Sequence, residues 1–66
     1  MQIYLNGEEQ QFADTLTMSE LVQQLDLGEQ RFAIEVNEEL VPRSSFGQYL
    51  LQPGDRVEIV QAIGGG

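Results

Sequence analysis

One stretch of this chain reads as the start of a helix, and nearly everything else reads as strand or turn. Thr17-Met18-Ser19-Glu20 has the form of a capping box, in which the threonine oxygen accepts from the amide three residues on while the glutamate reaches back to the threonine amide. Leu16 and Leu21 stand where a hydrophobic staple would put them. Met18, Leu21, Val22 and Leu25 then recur at i, i+3, i+4 and i+7, which makes one apolar face. Gly28 offers a left-handed stop, so the spacing predicts a helix over Met18 to Asp26. Its stripe of Met and Leu is a core face that must be buried against strands.

Those strands are legible on both sides of the helix. Met1 to Leu5 alternates, with Met1, Ile3 and Leu5 on one face and Gln2 and Tyr4 on the other. Asn6-Gly7 is the favoured pair for a type I′ turn, and Glu9 to Phe12 returns as a second strand with Phe12 aimed at the core. A loose polar loop is the alternative reading of Glu8-Glu9-Gln10-Gln11. Phe32, Ile34 and Val36 mark an alternating strand, Asn37-Glu38-Glu39 a polar turn, and Leu40-Val41 a very short strand that Pro42 ends or confines to an edge. Ser44 to Tyr49 reads as one helical turn opened by a serine cap and pinned to the core by Phe46, Leu50 and Tyr49. Gln52-Pro53-Gly54-Asp55 has the type II pattern. Arg56 to Ile63 is the last strand, with Val57, Ile59, Gln61 and Ile63 alternating against Glu58, Val60 and Ala62.

Strands with one helix laid across one face describe an α+β layer pair. With the last strand beside the first, the expectation is a β-grasp: a mixed sheet of about four to five strands, one main helix on one face, and a C-terminal glycine tail. Residues 1–63 form the domain and residues 64–66 the tail.

Composition removes most catalytic options. The 66 residues contain no Cys and no His, so zinc sites and the familiar nucleophile–base triads are excluded. A chain this short can hardly enclose a substrate pocket and keep a core. It is expected to be no enzyme and to hold no metal or stable cofactor. The net charge is −8, with Arg31, Arg43 and Arg56 the only cations among the side chains. That surface repels nucleic acid and anionic membranes and suits steering towards a basic partner. Lysine is absent, so the chain offers no side-chain amine for conjugation. No apolar run spans a bilayer and no signal peptide is evident. The expected state is a cytoplasmic monomer.

The last residues, Ala62-Ile63-Gly64-Gly65-Gly66, follow directly on the final strand. Glycine has no Cβ and accepts either sign of φ, so three in a row make a thin thread. From this stretch alone, a frayed end and a working end are equally good readings. A second feature lies upstream. If Ile3, Leu5, Val57 and Ile59 face the helix, then Tyr4, Val60 and Ala62 share the open face, ringed by Glu35 and Glu58. Singly these are ordinary surface apolars; together, beside the strand that feeds the tail, they form a candidate docking patch. Glu8-Glu9 and Glu38-Glu39 are solvated turn charges, since adjacent residues do not converge on a substrate as paired catalytic carboxylates must.

The start Met1-Gln2-Ile3, Leu5-Asn6-Gly7, the central Ile34-Glu35-Val36-Asn37-Glu38-Glu39-Leu40-Val41-Pro42-Arg43 and the end from Gly54 to Gly66 resemble the ThiS family, the sulfur carriers of thiamine biosynthesis. The likeness covers the whole chain. It implies a carrier whose terminal carboxylate is adenylated by an E1-like adenylyltransferase using ATP with magnesium. The adenylate is then converted to a thiocarboxylate with sulfur drawn ultimately from cysteine, by a cysteine desulfurase or similar donor. Thiazole synthase takes up that sulfur as it builds the thiazole ring. On this sequence the reactive residue is Gly66, with Gly65 and Gly64 as the segment that enters a partner's site.

Such chemistry suits a glycine thread. A terminal carboxyl group has a pKa of about 3.3 to 3.7, so at neutral pH it is an anion and a poor electrophile. AMP supplies a leaving group, and a sulfur nucleophile can displace it. The site that does this must exclude water around the acyl carbon, and only a backbone without side chains passes into it easily. Three extended residues reach about 10 Å. Two related readings use the same first step: the small subunit of molybdopterin synthase, whose chains are usually longer, and a ubiquitin-like modifier joined to target lysines. A third, an interaction domain acting through its sheet face alone, gives the tail no role.

Overall fold

Two tight hairpins and one final strand build a single mixed sheet, and the helix covers one of its faces. The computed structural model describes residues 1–27 and 31–61. In chain order the elements are β1 (Gln2–Leu5), β2 (Glu8–Gln11), α1 (Met18–Leu25), β3 (Phe32–Val36), β4 (Glu39–Val41), a 3₁₀ turn (Arg43–Ser45) and β5 (Arg56–Gln61). The sheet has five strands in the order β2-β1-β5-β3-β4. The β1–β5 pair is parallel and the other three are antiparallel. This is the expected α+β β-grasp, with the last strand at the centre. Among the described residues no helix is long and apolar enough to cross a membrane.

The helix begins as the sequence predicts. Thr17 adopts extended φ and ψ of −85° and 161°. Its hydroxyl accepts from the Glu20 amide at 3.2 Å, and Glu20 Oε1 accepts from the Thr17 amide at 2.9 Å and from its hydroxyl at 3.0 Å. The other two free amides of the first turn are taken up from across the fold. Met18 N–H donates to the Tyr49 carbonyl at 2.9 Å and Ser19 N–H to that of Phe46 at 3.1 Å. All the donors that a helix start leaves orphaned are therefore satisfied. Leu16, Met18 and Leu21 are fully buried with Ile3, Ile34 and Val57 of the sheet. Each such side chain contributes about 1.5–3 kcal/mol of burial.

The central strand is held from both sides by asparagines in the two hairpin turns. Asn6 and Gly7 have φ of 49° and 85°, and Asn37 and Glu38 have φ of 52° and 72°, the paired positive values of a type I′ turn. The Asn37 side-chain Oδ1 accepts from Arg56 N–H at 3.0 Å, and Asn6 Oδ1 accepts from Ile59 N–H at 2.8 Å. Asp55, the one buried charged residue among those described, completes the join. Its carboxylate accepts from the Asn37 side-chain amide at 3.0 Å and from Gln52 N–H at 2.8 Å. The Pro53-Gly54 turn forms as expected, with Gly54 at φ 84° and Asp55 N–H bonded to the Gln52 carbonyl at 3.1 Å.

Four local expectations change. The left-handed stop of α1 falls on Asp26, at φ 50°; Gly28, expected there, lies outside the described residues. A short polar side chain tolerates this region better than most, so the helix ends before the glycine. The turn at Arg43–Ser45 is 3₁₀ and starts from Pro42 without a side-chain cap, so Ser44 is no cap. Leu50 is 56% exposed while Leu51 is 2% exposed. Leu50 pairs with Thr17 in an isolated bridge, and Leu51 N–H donates to the Leu16 carbonyl at 2.9 Å; the period-2 alternation then sends Leu51 inward and Leu50 out. Phe12 lies just past β2 and packs against the core from there. The Tyr49 hydroxyl is pushed above its ordinary pKa, first by burial and then by the carboxylates of Asp55 and Glu39.

The cap gives a testable consequence. Thr17→Ala should cost about 1 kcal/mol, which for a domain of this size lowers Tm by about 4–8 °C. The Glu20 carboxyl is held below its ordinary value of 4.5 by the hydrogen bonds from the Thr17 amide and hydroxyl. Its contribution to stability is therefore complete above that value and is lost as pH falls through the lowered one. Glu20→Gln keeps an acceptor that does not titrate. Calorimetric melts at pH 7 and at about pH 3 should show a smaller difference for this variant than for the parent chain.

Candidate functional site

The sheet leaves one face open, and the residues on it follow from the register. Three rows cross the strands. Arg56 lies opposite Tyr4, which lies opposite Glu9. In the middle row Glu58 lies opposite Glu35, which lies opposite Leu40. Nearest the end of β5, Val60 lies opposite Ala33. Val57 and Ile59, on the alternate positions of β5, face the helix.

This arrangement brings together only part of the predicted patch. Val60 is 55% and Tyr4 36% exposed, so both share the open face as the alternation requires. They are not neighbours: Val60 lies four positions along β5 from Arg56, which faces Tyr4, roughly 13 Å along the strand, with Glu58 between. Ala62 lies outside the described residues, as do Gly64, Gly65 and Gly66. The apolar neighbour of Val60 is Ala33; Leu40, which at 66% exposure is the most exposed large apolar side chain among those described, stands opposite Glu35 in the middle row, two strands from β5. Leu40 could have been found by the same alternation, since Val41 beside it faces inward. Tyr4 belongs instead to a polar cluster, its hydroxyl accepting from Gln2 Nε2 at 3.2 Å while that amide also donates to Glu9.

The electrostatics of the face are unusual for a sheet. Glu35 and Glu58 are direct cross-strand partners, and like charges so placed are destabilising. Among the described residues the only ion pair joins the Met1 amino group to Asp14, so no cation there neutralises the two glutamates. Nor does any group of three or more carboxylates among the described residues converge as a metal site would require. On the other face, a shallow groove of about 260 Å³ lies between the C-terminal end of α1 and the end of β5, lined by Leu5, Asn6, Leu25, Leu27, Ile59 and Gln61. Nothing in the sequence signalled it, because its walls come from three separated segments.

The described residues thus present an acidic, partly apolar open face and a central strand held on both sides, whose last described residue, Gln61, pairs with Phe32. Residues 62–66 continue directly from that point.

Comparison with known proteins agrees with this architecture. The family model for the ThiS family matches residues 3–66. The sulfur carrier protein ThiS of Escherichia coli is 38% identical over 66 residues, covering 100% of both chains. A thiazole synthase of Paramagnetospirillum magneticum is 41% identical over 66 residues, and there this chain spans only 20% of the relative's length. The crystal structure of the thiamine biosynthesis protein ThiS from Geobacter metallireducens superposes with a TM-score of 0.87 at 29% identity, over 100% of each chain. With a family match that runs from the first strand to the last glycine, this chain belongs to the ThiS family.

Proposed function

We propose that this chain is a sulfur carrier of thiamine biosynthesis that works through the carboxylate of Gly66. The observation that carries the reading is the end-to-end likeness to a carrier of the same length, joined to a fold that holds β5 on both sides as far as Gln61. A delivered group needs a fixed point of departure. The clamp on Arg56 and Ile59 and the pairing of Gln61 with Phe32 provide one. From Gln61, five further residues extend up to about 17 Å, enough to reach a buried site while the domain stays outside.

In this reading an E1-like adenylating enzyme binds the carrier and ATP with magnesium. A Gly66 carboxylate oxygen attacks the α-phosphorus, pyrophosphate leaves, and the acyl carbon becomes electrophilic. Hydrosulfide drawn from a cysteine-derived donor displaces AMP and, on losing its proton, leaves a thiocarboxylate, which thiazole synthase consumes. The match of this chain to one-fifth of two thiazole synthases, the second from Magnetococcus marinus, supports that last partner. The enzymes supply every catalytic group, which fits a chain without His, Cys or Lys. Gly64 and Gly65 act as spacer, since a Cβ there would obstruct the channel. The acidic open face, with Val60 and Ala33 at one end, Leu40 in the middle row and Tyr4 at the other end, docks on a basic partner surface.

Intact mass tests the chemistry. With ATP, the adenylating enzyme of the host's thiamine pathway and a sulfur source, the chain should gain the mass difference of one oxygen replaced by sulfur. Residues appended after Gly66, or Gly65→Val, should abolish that gain while leaving the thermal melt unchanged. Sulfur loading of a blocked end would refute the role of Gly66, and covalent adducts on lysines of other proteins would favour a modifier.

The docking face has its own test. Val60→Asp should weaken binding to the adenylating enzyme in titration calorimetry by about tenfold, the cost of a charge in a desolvated contact. Tyr4→Ala should weaken it less, because Tyr4 stands apart from the apolar end. Unchanged affinity for both variants would remove the face from the interface.

A further inference from the structure

Against eleven acids the chain carries three arginines, and one of them is mounted on an aromatic ring beside the end of β5. The Arg43 guanidinium carbon lies 4.3 Å from the centroid of the Phe32 ring. A guanidinium nitrogen also donates to the Phe32 carbonyl at 3.4 Å. Phe32 in turn stacks on Phe46, with ring centroids 6.4 Å apart and planes 17° from parallel, and Phe46 belongs to the buried core. The backbone on either side is fixed as well. Ser45 N–H donates to the Pro42 carbonyl and Phe46 N–H to that of Arg43, at 2.9 and 3.1 Å. Arg43 is therefore an exposed cation on a three-tier stack footed in the core, and the middle tier is the residue paired with Gln61.

Arg43 forms no ion pair with any described residue, although carboxylates abound. Stacking an arginine on an aromatic face pre-organises its planar fork for a bidentate anion. Three anions could meet it: the chain's own terminal carboxylate, the nucleotide phosphates, or a carboxylate on a partner. When the tail is extended into an enzyme, Gly66 and any phosphate joined to it lie up to about 17 Å beyond Gln61, out of reach of a guanidinium anchored on Phe32. What lies beside Arg43 at that moment is the mouth of the channel.

We propose that Arg43 is a docking anchor that pairs with a carboxylate side chain on the rim of the partner site receiving the tail. This rests on the reading that the tail enters a partner's site. The charge pattern gives the contact a purpose. A basic partner surface would meet Glu35, Glu58 and Glu9 on the open face, while Arg43, on the side that carries Phe32 and Phe46, would meet an acidic rim. Arg56 is the cation of the open face itself, beside Tyr4 and Glu9, so Arg43 adds a separate contact at the Gln61 end of β5 that fixes the direction of approach.

The test is steady-state pyrophosphate release by the same adenylating enzyme, with ATP saturating and the carrier varied. Arg43→Gln should raise KM for the carrier about tenfold at low salt and leave kcat unchanged, with the difference shrinking as salt screens the pair. Arg43→Glu should raise it further, and Arg43→Lys should restore part of the loss. Replacing the responsible rim carboxylate of the enzyme by lysine should rescue Arg43→Glu. An unchanged KM for Arg43→Glu would overturn the anchor. So would a fall in kcat at unchanged KM, which would move Arg43 to the phosphates, and so would a KM rise that Arg43→Lys shares in full, which would leave only lost stacking. If the parent chain itself supports no pyrophosphate release, the carrier reading fails and the anchor with it. Parent turnover together with an unchanged Arg43→Glu variant rejects the anchor alone.

Discussion

The architecture depends on keeping one strand at the centre of a very small sheet. β5 has only two register positions against β1, Tyr4 with Arg56 and Leu5 with Val57, because β1 then turns away at Asn6. Beyond that point the amide of Ile59 would have no partner, and an orphaned amide in a sheet costs about as much as a lost hydrogen bond. The Asn6 side chain supplies the missing acceptor and lengthens the ladder by one rung. Asn37 does the same for Arg56 from the opposite hairpin. Each asparagine thus serves twice, since the positive φ that makes its turn tight also aims its side chain at β5. Exchange of either for glycine would preserve the turn and lose the rung.

A second set of bonds ties the helix to the segment that closes the fold. The amides of Met18 and Ser19 reach the carbonyls of Tyr49 and Phe46, and Leu51 N–H reaches Leu16. The helix N-terminus, the 3₁₀ turn and the approach to β5 are therefore one connected unit. Phe46 is buried through it, which gives Phe32 a ring to stack on and Arg43 a ring to lie over. An exposed guanidinium beside the end of β5 is in this sense a remote product of the capping box.

How much of this was legible depended on whether the deciding contacts were local. The capping box, the Asn6-Gly7 turn and the alternation in Ile3, Leu5, Val57 and Ile59 are set by residues a few positions apart, and they are readable from sequence. Leu50 was misread because its direction is chosen by a bridge to Thr17, 33 positions away in the chain. Asp26 was overlooked because a glycine two residues later looked like the better stop. On the open face, alternation assigned Tyr4 and Val60 to the correct side, but only the register revealed the spacing between them and the place of Leu40 and Ala33. The Arg43–Phe32–Phe46 stack joins two segments, and no pattern in either one announces it.

The glutamates of the middle row sharpen what the surface is for. A sheet selected for stability alone would not set Glu35 opposite Glu58, since an opposite-charge or β-branched pair there would stabilise it by several tenths of a kcal/mol. A domain this small has little stability to spare, and in the proposed reading a partner offsets the cost of the pair. A basic surface laid over the row would relieve the repulsion on binding. The interaction then gains twice, once from the new pairing and once from the strain removed. The same surface would bring the end of β5 up to the partner with its direction already fixed, so that the thread of glycines has only to go forward.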